Sequence, residues 1–181
     1  MSPFKRVEVN KLKEFNIPIS GIKEGNYEYK IEVNNEFFAH FDDSLVAGGE
    51  IQLNLLMEKM INIIILHFNF KGIIEASCDR CLDPITMKVK GEDKIFVKYG
   101  EEADVLAENV LVIPHDAHEI ELAQIIYEMI VLSKPSRNVH GKRSECNQEV
   151  LNKLKEHEIK TNIEVDPRWA ALNKLKNTNL N

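Results

Sequence analysis

Ile61-Asn62-Ile63-Ile64-Ile65-Leu66-His67-Phe68-Asn69-Phe70 is the stretch that decides the fold. It is apolar at odd and even positions alike, the pattern of a strand covered on both faces. Asn62, His67 and Asn69 interrupt it, and it falls well short of the roughly 20 apolar residues a membrane-spanning helix needs. The expectation is a strand at the centre of a sheet, with His67 a satisfied core histidine. Outward to the N-terminal side, Ile51, Leu53 and Leu55 alternate with Gln52 and Asn54. Before them Tyr27, Tyr29, Ile31 and Val33 alternate with charged or amide residues, a period of two that marks half-buried strands. Gly48-Gly49 predicts a turn, and residues 35–41 a short helix or loop. On the C-terminal side, Gly72 predicts a bulge or bend before Ile73. Ile85, Met87 and Val89 read as one strand and Ile95, Val97 and Tyr99 as the next, parted by Gly91-Glu92-Asp93. Strands joined by such short gaps form an antiparallel sheet or partial β-barrel.

Past residue 100 the pattern changes. Residues 101–128 hold eight acids and no Lys or Arg, and 101–118 reads as a solvated acidic loop. His115-x-x-His118 lies in that loop after Pro114, without the helical frame of a metal motif, and reads as a turn. Leu122, Ile125, Ile126, Met129 and Ile130 follow helical spacing, which predicts a buried helix over about 120–134, stopped by Pro135 and packed on the sheet. Lys134, Arg137, Lys142 and Arg143 then form a basic run without an acid. A short helix is expected from near Ser144, with Val150, Leu151 and Leu154 inward. A last one opens at Asp166-Pro167, an N-cap followed by proline, with Trp169, Leu172 and Leu175 along one side. The fold class is therefore α+β: a mainly β region over 1–100, and over 101–181 an acidic segment, buried helix, basic loop and helical C-terminal tail, together one integrated domain.

The chain has 181 residues, 44% of them hydrophobic, and a net charge of −6. That balance excludes a protein whose whole surface grips nucleic acid, and leaves room for a local basic patch. Met1 to Arg6 runs straight into mixed charge with no apolar core of a signal peptide, so a reducing cytoplasm is expected for the three cysteines. All three belong to one constellation. Cys78-Asp79-Arg80-Cys81 sits between strands, where one turn can aim two sulfurs at one metal, and His140 and Cys146 follow the buried helix. Zinc held by Cys78, Cys81, His140 and Cys146 is one reading. Reduced thiols left from a decayed site, beside an exposed histidine, are the other. A thioredoxin-like redox pair needs its first Cys at a helix N-terminus, and here Pro84 and a strand follow instead.

Three blocks resemble the YceD-type family, named for large ribosomal RNA subunit accumulation. They are Cys78-Asp79-Arg80-Cys81-Leu82-Asp83-Pro84; Ile120-Glu121-Leu122 through Glu128, Ile130 and Leu132 to Pro135, leading to His140 and Cys146; and Asp166-Pro167-Arg168-Trp169-Ala170-Ala171-Leu172-Asn173-Lys174-Leu175. Many members of that family carry a second cysteine pair where this chain has His140 and Cys146. The resemblance implies a non-catalytic factor supporting accumulation, processing or assembly of large-subunit ribosomal RNA, with a structural zinc. Its partners would be that rRNA or a precursor ribosomal particle, touched through Lys134, Arg137, Lys142 and Arg143, and a basic ribosomal protein drawn to the acidic segment. No nucleophile–base pair or phosphate-binding glycine loop stands out, so no catalytic residues are expected. The alternatives are a small thiol-redox or metal-dependent enzyme, and an acidic adaptor that never touches RNA.

Overall fold

The structure, a computed structural model, describes residues 12–42, 44–100 and 109–158. Residues 101–108 of the predicted acidic loop and the helix expected from Asp166 lie outside them. Two compact units are present, the first ending at Cys146 and the second beginning at Asn147.

The first unit is α+β and is built on an open five-stranded sheet in the order β2-β3-β4-β5-β6. Its strands are β2 (Gly25–Val33), β3 (Gly48–Lys59), β4 (Ile63–Ser77), β5 (Pro84–Tyr99) and β6 (Val110–Ile113). A short β1 (Asn16–Pro18) pairs with β7 (Glu119–Glu121) in a separate two-stranded ladder that sets Ile17 opposite Ile120. β2 to β5 are antiparallel neighbours, as the short gaps require, and β4 is central. β6 departs from the expected pattern by joining β5 in parallel. It also lies within the stretch read as one acidic loop: Val110 to Ile113 is apolar and β-branched enough to add a strand despite its acidic surroundings.

Three glycine expectations fail for the same reason. The registers of β3, β4 and β5 run unbroken past Gly49, Gly72 and Gly91. There is no turn at Gly48-Gly49, no bulge at Gly72 and no break at Gly91, so the two short strands expected over 85–99 are one long β5. These glycines serve close approach. A Cβ on Gly72 would sit 2.2 Å from the Glu50 carbonyl oxygen and 2.6 Å from Ile51 Cα. On Gly91 it would meet the Phe70 ring at 2.6 Å. Lacking side chains, they let neighbouring groups come close without losing ladder bonds.

The core lies on one face of the sheet. Ile51, Leu53, Leu55 and Met57 of β3 and Ile64, Leu66, Phe68 and Phe70 of β4 are buried there. Two helices belong to the same apolar cluster. α1 (Asn35–Phe38) starts where the Asn34 side chain accepts from the Phe37 amide, and it buries Phe37 and Phe38. α2 (Ala123–Leu132) buries Ala123, Ile126, Met129 and Ile130 at helical spacing and contacts β5, as its periodicity predicts. It starts later than expected because Glu119 to Glu121 are committed to β7. Tyr127 stacks on Phe41 with centroids 4.0 Å apart and donates its hydroxyl to Ser44 Oγ at 3.1 Å. His67 is not in the core. Strand alternation turns it to the opposite face of β4, where its Nε2 lies 3.4 Å from Glu58 Oε1.

In the second unit α3 (Gln148–Glu156) is capped by Asn147, whose side-chain oxygen accepts from the Glu149 and Val150 amides. Leu151 is buried in it, but Leu154, expected to face inward, is exposed.

Candidate metal centre

β4 and β5 are 15 and 16 residues long and pair from Ile63↔Lys98 out to Ser77↔Pro84. The Cys-x-x-Cys turn is therefore the tip of the longest hairpin among the described residues, as the strand–turn–strand reading placed it. The turn closes on itself: the Leu82 amide donates to the Cys78 carbonyl at 2.8 Å and the Cys78 amide to the Asp83 carbonyl at 2.8 Å. Leu82 adopts a left-handed φ of 64° to complete it, which points its side chain into solvent.

The second half of the site arrives from α2. Ser133 ends that helix by donating its hydroxyl to the Ile130 carbonyl, and Pro135 bars continuation. The chain then runs extended to the hairpin tip and is clipped there. The Asp79 amide donates to the Asn138 carbonyl at 2.7 Å, and the Asn138 amide donates to Asp79 Oδ2 at 2.6 Å. Asn138 is the one buried polar residue among those described. In the orientation its neighbours dictate, its side-chain nitrogen donates to the Pro135 carbonyl and its oxygen accepts from Lys134 Nζ, both at 3.0 Å. Nothing in the sequence marked Asn138, because only this long-range pairing gives it a role.

With that clip in place, Cys78, Cys81, His140 and Cys146 come together, each offering one donor atom, all within 4.8 Å of one another. The three thiols are buried and form no disulfide. His140 Nδ1 lies 3.6 Å from Cys81 Sγ and 3.6 Å from Cys146 Sγ. A tetrahedral zinc with Zn–S of about 2.3 Å and Zn–N of about 2.0 Å separates sulfur from nitrogen by about 3.5 Å along the tetrahedron edge. The observed spacing meets that requirement, and the Cys₃His donor set is one that structural zinc takes. Pairs nearer the 4.8 Å limit would contract by up to an ångström on loading.

The electrostatics of the pocket favour thiolate unevenly. Burial works against ionisation of Cys78, but the backbone amides of Arg80, His140 and Cys81, together with the Cys81 thiol, outweigh it and bring its pKa down to about 6. The Arg80 amide lies 3.4 Å from that sulfur. Burial pushes Cys146 up, opposed by the Arg80 guanidinium, whose Nη1 donates to Cys146 Sγ at 3.4 Å. Asp79 and Arg80 do not pair with each other: Asp79 holds the returning chain and Arg80 faces the third sulfur.

A family model for "Large ribosomal RNA subunit accumulation protein YceD" matches residues 66–176, well over half the chain. The chain belongs to the YceD family. Its matched segment begins in β4 and takes in the whole hairpin tip, α2 and all four clustered side chains. No curated protein and no solved structure is matched by the chain.

The basic run expected to meet RNA is divided. Lys134 is half-buried and turned to Asn138, while Arg137, Lys142 and Arg143 are exposed on the segment that carries His140. Among the described residues the cluster at the hairpin tip is the one group of His, Cys, Asp and Glu donors close enough to share an ion. His115 stacks on Tyr99 and His118 gives its carbonyl to Ile19 and Ser20, the turn that leads into β7.

Proposed function

We propose that this protein is a non-catalytic factor in the accumulation or assembly of large-subunit ribosomal RNA, with a structural zinc at the tip of the β4–β5 hairpin. The observation that carries the reading is the convergence of three buried sulfurs and one imidazole inside the segment that matches the family. Cys78, Cys81, His140 and Cys146 would fill all four positions of the metal, leaving none open for water or substrate, which is the signature of structure rather than catalysis. Zinc there would supply a cross-link between the hairpin and the segment after α2, and so fix the loop bearing Arg137, Lys142 and Arg143.

The low pKa of Cys78 equally suits a reactive thiol, and that is the second reading. Burial of all three sulfurs argues against it, since redox thiols need access.

One experiment separates the two. Protein purified from cells without added metal is assayed for zinc, and lysate is sedimented with and without depletion of the protein. One zinc per chain, co-migration with large-subunit precursors and selective loss of large-subunit rRNA on depletion are expected. Metal-free protein that reacts rapidly with iodoacetamide and stays at the top of the gradient, with rRNA unchanged, would replace the assembly reading with thiol chemistry.

A further inference from the structure

Opposite the core, the sheet presents a second face that the basic-loop expectation ignores. Register and alternation fix its residues. On β2 and β3 it carries Glu28, Glu32, Glu50 and Glu58 against the single Lys30. On β4 and β5 the balance reverses, with Lys71, Lys88, Lys90, Lys94 and Lys98 against Glu75 and Glu92. A chain of net charge −6 thus gathers five lysines on one half of one sheet face.

The arrangement costs the fold something. Lys71 and Lys90 are directly opposite one another in the β4–β5 ladder. Like charges on directly opposite residues, whose Cβ atoms are about 5 Å apart, destabilise the pair. Lys88 is two residues along β5, opposite Ile73, and Lys94 is opposite His67. Among the described residues none of Lys71, Lys88, Lys90 and Lys94 forms an ion pair that would quench this charge. Glu92, the acid on β5 nearest these lysines, is held by Asn69, which donates to it at 2.9 Å. Lys71, Lys88 and Lys90 border one side of a shallow depression whose other side carries Glu32, Glu50 and Gln52. Farther along, Lys94 Nζ lies 5.0 Å from the centroid of the half-buried Phe96 ring, an aromatic surface of the kind the basic loop lacks. Alternate β5 residues advance by about 6.6 Å, so Lys88 and Lys90 lie one such step apart and Lys94 two steps farther, beyond Glu92, and the cations form a track rather than a point. A linear array of lysines without ion pairs, beside an aromatic ring, is complementary to a linear polyanion with bases.

We propose that the solvent face of β4 and β5 holds RNA by its phosphate backbone, along a track through Lys71, Lys88, Lys90 and Lys94. The proposal rests on the reading that large-subunit rRNA is what the protein acts on, and it moves the principal contact from the loop at 134–143 to the sheet.

The test uses the full chain and a short fluorescent single-stranded RNA of mixed sequence, with anisotropy followed against salt. The variant Lys71→Gln/Lys88→Gln/Lys90→Gln is compared with wild type and with Arg137→Gln/Lys142→Gln/Arg143→Gln. Each phosphate contact contributes about 0.7 to the slope of log K against log salt for single strands, so the sheet variant should lose about 2 from the slope and bind about a hundredfold more weakly at 0.1 M salt. Its melting temperature should hold or rise, because the repelling pair is gone, which separates lost binding from lost fold. An unchanged slope in the sheet variant, binding lost only in the loop variant, or no RNA binding by wild type overturns the proposal. Polyglutamate bound as tightly as RNA also overturns it, and makes an acidic protein the partner. Loss of RNA binding in the sheet variant, combined with normal rRNA in depleted cells, would uphold the surface and remove the assembly role.

Discussion

Arg80→Gln isolates the electrostatic part of the metal site without touching a ligand. Zinc bound by three thiolates and a neutral imidazole carries a net charge of −1, shared among the sulfurs. The Arg80 guanidinium nitrogen lies 3.4 Å from one of them, Cys146 Sγ. A unit charge facing a third of a charge at that distance, at an effective dielectric constant near 20, is stabilised by about 1.6 kcal/mol. That corresponds to roughly a fifteenfold change in affinity, within the ten- to hundredfold range of outer-shell partners. The expected outcome is a folded protein that still takes one zinc per chain, with affinity about fifteenfold lower in competition against a chromophoric chelator. Arg80→Lys should recover only part, since a point charge on a shorter reach replaces a planar fork. Cys146→Ser, which removes a ligand, should cost far more than either. Wild-type affinity in Arg80→Gln would refute the charge argument. Complete loss of zinc from a folded Arg80→Gln would show that the guanidinium builds the site rather than tuning it.

Gly72→Ala should destabilise the protein by about 3 kcal/mol, because the added methyl meets backbone that cannot swing aside, and a denaturant titration with an unchanged slope but lower midpoint would register it. Stability of the metal-free protein should depend on pH through its thiols. Cys78, lowered to about 6 in the fold, contributes stability that is gained as pH rises from about 6 toward the ordinary thiol value and lost as pH falls back through 6. Cys146, raised in the fold, acts in the opposite sense: its contribution is present below the ordinary thiol value and is lost above it. Thermal melts of the chelated protein should therefore show a rise between pH 6 and 9 that Cys78→Ser abolishes, and an equal rise in that variant would contradict the assignment.

Periodicity carried much of the fold. Alternation over 27–33, 51–55 and 85–99 reports only which side chains meet water, and that is a local property of a strand. The same holds for Leu122 through Ile130, whose spacing requires a helix with one buried face. Glycine misled because its absent side chain permits two different things, a bend or a close approach. Gly49, Gly72 and Gly91 are all the second kind, which only the neighbouring strand's backbone reveals. The parallel partner of β5 was hidden for a similar reason: Val110 to Ile113 is too short to stand out in an acidic stretch, and its place depends on a free edge elsewhere.

The candidate metal centre divides along the same line. The sequence by itself determined the donor types, Cys78, Cys81, His140 and Cys146, and the hairpin that presents the first two, because residue chemistry and strand period are local. Tertiary structure decided that these donors meet. α2 had to be long enough, and the Asp79–Asn138 clip well enough placed, to return the chain to the tip of a hairpin more than fifty residues earlier. It also decided the polarity of the sheet's outer face. Lys71 and Lys90 are unremarkable nineteen residues apart in sequence, and become a charged pair only when register sets them opposite each other. Local order follows from neighbouring side chains, whereas a shared site or a charged face exists only once distant backbone segments are fixed against one another.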